Sequence, residues 1–224
     1  MFFLVERPKI QEPQRGSPRM FRIDLLEKYL SRGRPWQIVA LWAPVTAGLL
    51  GYALVRSALG VPAMFGLAAA GVFFWTLLEY LLHRFAFHFP VNPSSELQRD
   101  LAFLIHGVHH DYPHDPDRLV MPPAASILIA LVLGPLVYLA LGPERFPPAF
   151  AGLVGGYIWY DLTHYGCHYW RPQTAFGRML RRHHLQHHFK SDTINYGIST
   201  PLWDRVFGTF SDSRATDEDP AAAS

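Results

Sequence analysis

Apolar residues along this chain gather in four uninterrupted runs instead of spreading in the one-face stripes of water-soluble helices. The first, WQIVALWAPVTAGLLGYALV, covers Trp36 to Val55, and the second, VPAMFGLAAAGVFFWTLL, covers Val61 to Leu78. A third, LVMPPAASILIALVLGPLVYLALG, runs from Leu119 to Gly142, and a fourth, FPPAFAGLVGGYIWY, from Phe146 to Tyr160. Crossing a bilayer takes about 20 apolar residues in a helix. The fourth run is short by that measure and is expected to continue through DLTHYGCHYW as one helix entering a more polar region. Only a few residues join the runs within each pair, the second pair around Pro143, Glu144 and Arg145, so two helical hairpins are predicted.

Positive charge is sorted by segment. Arg7, Lys9, Arg15, Arg19, Arg22, Lys28, Arg32 and Arg34 precede the first run; Arg84, Arg99 and Arg118 lie between the hairpins; Arg171, Arg178, Arg181, Arg182 and Lys190 follow the last. The short turns hold only Arg56 and Arg145. Cytosolic loops are the ones enriched in Lys and Arg, so both ends and the middle segment are expected in the cytosol, which requires an even number of crossings. A soluble bundle of four buried helices is the rival reading, and this asymmetry counts against it. The expected fold is an all-α integral membrane protein with four transmembrane helices and a cytosolic helical cap.

Residues 1–35 are then a cytosolic amino-terminal segment, 36–210 the membrane-embedded domain with its cap, and 211–224 a disordered acidic tail. In FRIDLLEKYLSRGR, Phe21, Leu25, Leu26, Tyr29 and Leu30 share a helical face, which suits either the membrane surface or packing against the cap. The opening MFFLVERPKIQEPQRGSP lacks the sustained apolar core of a cleavable signal.

A net charge of +2 over 224 residues gives no general case for nucleic-acid binding, and the lone Cys167 excludes an internal disulfide or a cysteine-based zinc site. Histidine is where the chemistry concentrates. All twelve fall between His83 and His188, and all but His114 lie in packets: HRFAFH with His83 and His88, HGVHH with His106, His109 and His110, HYGCH with His164 and His168, and HHLQHH with His183, His184, His187 and His188. Every packet lies on the side assigned to the cytosol.

Residues three and four apart share a helix face. His106, His109 and His110 are therefore expected to converge, as are His164 with His168 and His184 with His187 and His188. The pair His83 and His88 is five apart, about 140° on an ideal α-helix, and needs either a helix end or a π-type turn. Ser95 and Thr174 are expected N-caps, with Leu97, Leu101, Leu104, Ile105 and Val108 on one packed side of the first of these helices. Neighbouring arginines should help keep the rings neutral and ready to bind metal. Ten or more imidazoles overfill one ion and suit two at about five each, leaving open positions. Iron, zinc, copper and nickel all accept such ligands.

LLEYLLHRFAFHF, HGVHHDYPHDPDRLVMPP, YDLTHYGCHYWRP and HHLQHHF followed by NYGISTPLWDRVFGT resemble the fatty acid hydroxylase and sterol desaturase superfamily, most closely its fatty acid 2-hydroxylase branch. The resemblance covers most of residues 70 to 210. It implies metal ligands at His83, His88, His106, His109, His110, His164, His168, His184, His187 and His188. It also implies a dimetal centre, iron when active with zinc as a substitute, that uses O2 and two electrons to hydroxylate a C–H bond of a lipid chain, the carbon next to the acyl carbonyl. Fewer than forty residues precede the first run, so no fused cytochrome b5 domain is expected and electrons come from a separate cytochrome b5-like or ferredoxin-like donor. Sterol or carotenoid hydroxylation or desaturation, and a non-enzymatic membrane metal-binding role, remain the alternatives.

Glu79, four before His83, and Asp161, three before His164, are placed to accept a ring N–H, or else are helix-end charges. His183 either supplements the metal site or supports it from outside, His114 is a loop residue, and Asp204 with Trp203 closes the cap or lines the site. Arg118 is a candidate for an anionic lipid headgroup, or an interface residue whose stem lies along the membrane.

Overall fold

The computed structural model describes residues 15–212, and the regular elements among them are helices. The predicted acidic tail beyond residue 212 and the first 14 residues of the amino-terminal segment lie outside this range. In chain order the elements are α1 (Asp24–Leu30), α2 (Pro35–Arg56), α3 (Val61–Leu81), α4 (Glu96–Ala102), α5 (Val108–Asp111), α6 (Pro123–Tyr169), α7 (Ala175–Phe189) and α8 (Leu202–Val206). Two π-helical segments interrupt this series: Leu82–Phe87 extends α3, and Phe103–Gly107 joins α4 to α5.

Three helices, Pro35–Arg56, Val61–Phe87 and Pro123–Tyr169, are long and apolar enough to cross a membrane. Proline opens each: Pro35 at the start of α2, Pro62 in α3 and Pro123 in α6, where its missing N–H costs nothing. The first predicted hairpin is present, with α2 and α3 joined at residues 57–60.

The third and fourth apolar runs form the single element α6, but it is not straight. Its 47 residues would extend about 70 Å as one rod. Gly142 breaks it with φ 74° and ψ 173°, a backbone region that glycine alone enters freely. Beyond that point the chain folds back. A Cβ placed on Gly134 would lie 3.6 Å from the ring of Phe150, and the rings of Tyr138 and Phe146 are 5.5 Å apart. Positions 134 and 150 would be about 24 Å apart on a continuous helix. So α6 is itself a hairpin with arms 123–141 and 143–169, turning at Gly142 just before the expected Pro143–Arg145 connection. As predicted, the second arm runs on through the HYGCH packet.

Both turns lie at one end of the bundle, where Ser57 Oγ and the Ala58 N–H donate to Glu144 Oε2, each at 3.0 Å. The core between the helices is aromatic: Ile38 and Trp42 of α2, Trp75 of α3, and Phe150, Leu153, Tyr157 and Tyr160 of the second arm of α6. Small residues let α3 and that arm touch backbone to backbone. A Cβ added at Gly152 would meet Ala68 O at 1.9 Å.

At the histidine end, Met20, Phe21, Phe103, Val108 and Tyr112 form a second cluster, with Leu26 and Leu104 packed on it. The face expected of residues 21–30 is thus divided: Phe21 and Leu26 turn to the cap, while Leu25 and Tyr29 remain exposed. The apolar side expected along α4 also splits. Val108 is buried, but Leu97, Leu101 and Ile105 are exposed, because the π segment at 103–107 rotates the later residues relative to the earlier ones.

An ionic clasp ties α1 to the loop before α6. Arg118 is buried and donates to Glu27 Oε1 at 3.0 Å, Asp115 Oδ2 at 3.1 Å and Ser31 O at 2.9 Å, with a further bond to Pro18 O. Its donors are consumed by the protein, which corrects the lipid-headgroup expectation: the guanidinium is a structural hub. Burial raises the Glu27 pKa, but the Phe21 and Met20 N–H groups, then Arg118 and Arg32, outweigh it and hold the carboxyl at about 2.

Candidate metal centre

The π segment after α3 solves the five-residue spacing. His88 N–H bonds to His83 O at 3.1 Å, and the tighter angular step brings both rings to one side. Ser95 Oγ accepts from Gln98 N at 3.3 Å and Thr174 Oγ1 from Gly177 N at 3.0 Å, so both predicted caps are in place beneath their histidine helices.

All ten histidines implied by the resemblance meet, in two groups of five. One comprises His83, His88, His106, His110 and His187; the other comprises His109, His164, His168, His184 and His188. Within each group the donor nitrogens all lie within 4.8 Å of one another. This corrects the expectation that each packet serves one face. The packet HGVHH sends His106 and His110 one way and His109 the other, and HHLQHH divides His187 from His184 and His188. The groups stand side by side, with the rings of His110 and His188 stacked at 4.2 Å.

Ring nitrogens face one another at short range. Nε2 to Nε2 distances are 3.1 Å for His83 with His106 and His106 with His110, and 3.0 Å for His88 with His187. In the other group they are 2.8 Å for His109 with His164 and for His168 with His184. At least two of these contacts turn a bare ring nitrogen toward a neighbouring imidazole. His83 Nδ1 donates to Tyr196 O at 2.6 Å and His187 Nδ1 to Ile194 O at 2.7 Å; a carbonyl only accepts, so each Nε2 is bare in the neutral ring. His109 Nδ1, His184 Nδ1 and both nitrogens of His188 are buried without a hydrogen-bond partner among the described residues.

A cation between such rings resolves both problems. With metal–nitrogen bonds of about 2.1 Å, ligands at right angles sit about 3.0 Å apart, whereas tetrahedral ligands sit about 3.4 Å apart. The spacings here match right-angled positions, so these residues fit five- or six-coordinate ions and not closed tetrahedral zinc.

The rings are also held neutral. Burial, reinforced by neighbouring imidazoles, keeps His106, His109, His110, His184 and His188 well below the usual histidine pKa. His187 is lowered to about 3, by burial first and then by His88. Arginine contributes less than expected: Arg182 is half-exposed and paired with Asp212 at 3.8 Å, and the charge of Arg181 acts on His168 only after burial and the neighbouring imidazoles.

The supporting carboxylates are buried but do not touch imidazoles as expected. Glu79 accepts from the N–H groups of Ile198 at 3.2 Å and Ser199 at 2.8 Å and from Ser199 Oγ at 2.5 Å. Asp161 accepts from Met121 N at 3.3 Å, while His164 bonds to the Leu119 carbonyl. In each case the carboxylate holds a loop, and the loop holds the ring. Residue spacing cannot show this, because both loops are remote in sequence. His183 lies outside both groups, buried, with Nε2 3.0 Å from Asp204 Oδ2 and its ring stacked on Phe210. His114 is exposed in its loop, and Trp203 closes the cap by donating to Thr76 Oγ1 at 2.9 Å.

A sequence profile described as fatty acid hydroxylase matches residues 68–209, a stretch that holds every one of these histidines. The chain belongs to the fatty acid hydroxylase family. The hydroxylase is 39% identical over 192 residues to a dihydroceramide fatty acyl 2-hydroxylase of Arabidopsis thaliana, FAH2, covering 86% of this chain and 79% of that one. It is 40% identical over 178 residues to the ceramide very long chain fatty acid hydroxylase scs7 of Schizosaccharomyces pombe, covering 78% of this chain and 50% of that one. A solved structure described as full-length scs7p with only the hydroxylase domain visible superposes with a TM-score of 0.77 at 37% identity, covering 86% of this chain and 72% of that one. The hydroxylase is therefore an enzyme of lipid oxidation, and its spanning-length helices make it an integral membrane protein.

Proposed function

We propose that the hydroxylase inserts a hydroxyl group at C2 of a fatty acyl chain, free or carried in a sphingolipid. His83, His88, His106, His110 and His187 hold one ion, and His109, His164, His168, His184 and His188 the other. The observation that carries this reading is the pair of five-imidazole groups with right-angled spacing, in a chain whose relatives are named for acyl 2-hydroxylation. Iron held in such sites, for which zinc could substitute, would supply O2 activation, with one oxygen atom going into the C–H bond and the other to water, together with two electrons and two protons. The protein's own residues keep ten rings neutral, fix the tautomers of His83, His164 and His187 through loop carbonyls, and enclose the rings away from bulk water.

We further place both arms of α6 across the bilayer beside α2 and α3, giving four crossings. The histidine cap and both termini then face the cytosol. The reversal at Gly142 and the sorting of Lys and Arg support this arrangement. Electrons come from a separate cytochrome b5-like or ferredoxin-like protein.

Lipid profiling of cells expressing the hydroxylase, compared with a His187→Ala variant, tests the reaction. A 2-hydroxyacyl product that disappears in the variant is expected. Hydroxylated sterols or carotenoids, a new double bond, or no change in lipids would overturn the assignment in favour of another reaction or a non-enzymatic role.

A further inference from the structure

The segment 194–199 is held by an unusual set of bonds. Its backbone is bent at Asn195, whose φ is 56°, and the Asn195 side chain is buried, donating to Gln186 Oε1 at 2.9 Å and Ser211 O at 3.1 Å. The next four N–H groups are all captured by two buried carboxylates. Asp204 takes Tyr196 N and Gly197 N, each at 2.8 Å; Glu79 takes Ile198 N at 3.2 Å and Ser199 N at 2.8 Å. Asp204 also accepts from Thr209 Oγ1 at 2.7 Å and contacts His183 at 3.0 Å. Gly197 is required for this approach, since a Cβ there would come 2.8 Å from Asp204 Oδ2 and 2.2 Å from Thr200 O.

With its N–H groups fixed, the segment presents two carbonyls in the other direction. Tyr196 O receives His83 Nδ1 and Ile194 O receives His187 Nδ1, and both rings belong to the same group of five. The second group has a different support, the bond from His164 to Leu119. Neither Glu79 nor Asp204 is among the residues whose donor atoms converge in either group.

We propose that Glu79 and Asp204, the latter steadied by His183, are positioning residues for one of the two metal sites, acting on His83 and His187 through the carbonyls of segment 194–199. This rests on the two-metal reading above. It gives His183 a role and ties one site to a carboxylate that projects from the spanning helix α3.

The test uses the full chain purified in detergent, loaded with 57Fe under limiting metal, with iron counted per chain and Mössbauer spectra recorded. For Asp204→Asn and Glu79→Gln, iron affinity at one site should weaken on the order of 10- to 100-fold. Iron should fall from two per chain towards one, with one quadrupole doublet lost and the other unchanged. Two irons with unaltered spectra, or equal loss of both doublets, would overturn the proposal. If either variant fails to accumulate as a monodisperse protein, Ser199→Ala decides: removing this hydroxyl from Glu79 should shift one doublet only, and an unshifted spectrum counts against the role. Fewer than two irons in the unaltered protein would instead sink the two-metal reading.

Discussion

The two histidine groups have the same number of rings but are assembled differently. His164 and His168 of the second group sit one turn apart on the long second arm of α6, and His184 and His188 sit one turn apart on α7. Ordinary helical spacing therefore supplies four of its five donors. The first group needs a π turn to gather His83 with His88, another π segment leading to His106 and His110, and a distant loop to aim His83 and His187. One site is a product of helix geometry, and the other of irregular backbone fixed by hydrogen bonds.

Single-ligand variants press on that difference hardest. His184→Ala and His187→Ala should each reduce lipid hydroxylation by more than about 100-fold, beyond what loss of an outer partner does. Iron analysis should show each losing a different ion, and loss of both ions from either variant would erase the distinction. Stripping metal with a chelator should lower the thermal stability of the cap, by about 4 kcal/mol if free metal had been a thousandfold above its dissociation constant. The irregular first group should empty first as chelator is titrated against the iron count.

A smaller effect is expected from Glu27→Gln, which leaves buried Arg118 with Asp115 as its carboxylate partner and should cost about 2 kcal/mol of unfolding free energy. Because Leu119, the carbonyl that holds His164, follows Arg118, any accompanying loss of metal should fall on the second group. The pH dependence has a definite sign. With a folded-state pKa of about 2 against an ordinary 4.5, Glu27 gives its full stabilisation above pH 4.5 and loses it as pH falls towards 2. The stability gap between the two proteins should close over that window in pH-dependent unfolding. Smallest of all, His114→Ala should leave stability within about 0.5 kcal/mol and the metal content unchanged, since that side chain is exposed.

What could be read from the sequence follows the same divide. Charge-free runs, caps at Ser95 and Thr174, the two hairpins and the histidine packets are local patterns, and local spacing exposes them, whereas the set of ten that meets was implied by the family resemblance. That His83 and His88 need either a helix end or a π turn was also legible, because positions five apart do not share an α-helical face; the structure has the π turn. The split of HGVHH and HHLQHH was not, since a packet of neighbours says nothing about which of two adjacent centres each ring joins. Arg118 resembled an interface cation until its partners Glu27 and Ser31, some ninety residues away, were brought against it. Glu79 and Asp161 were expected to accept a ring N–H from the neighbouring turn, but their bonds run to loops remote in the chain.

The close contact of Gly152 with Ala68 has a reach beyond packing. The helix arm that carries Gly152 reaches His164 twelve residues later, about 18 Å along a rigid axis. The contact at the glycine is thus a datum from which the height of the second group is measured. A side chain inserted there would lift or tilt the arm, and the metal donors with it, so a residue buried between two helices far from the histidines sets the alignment of their chemistry.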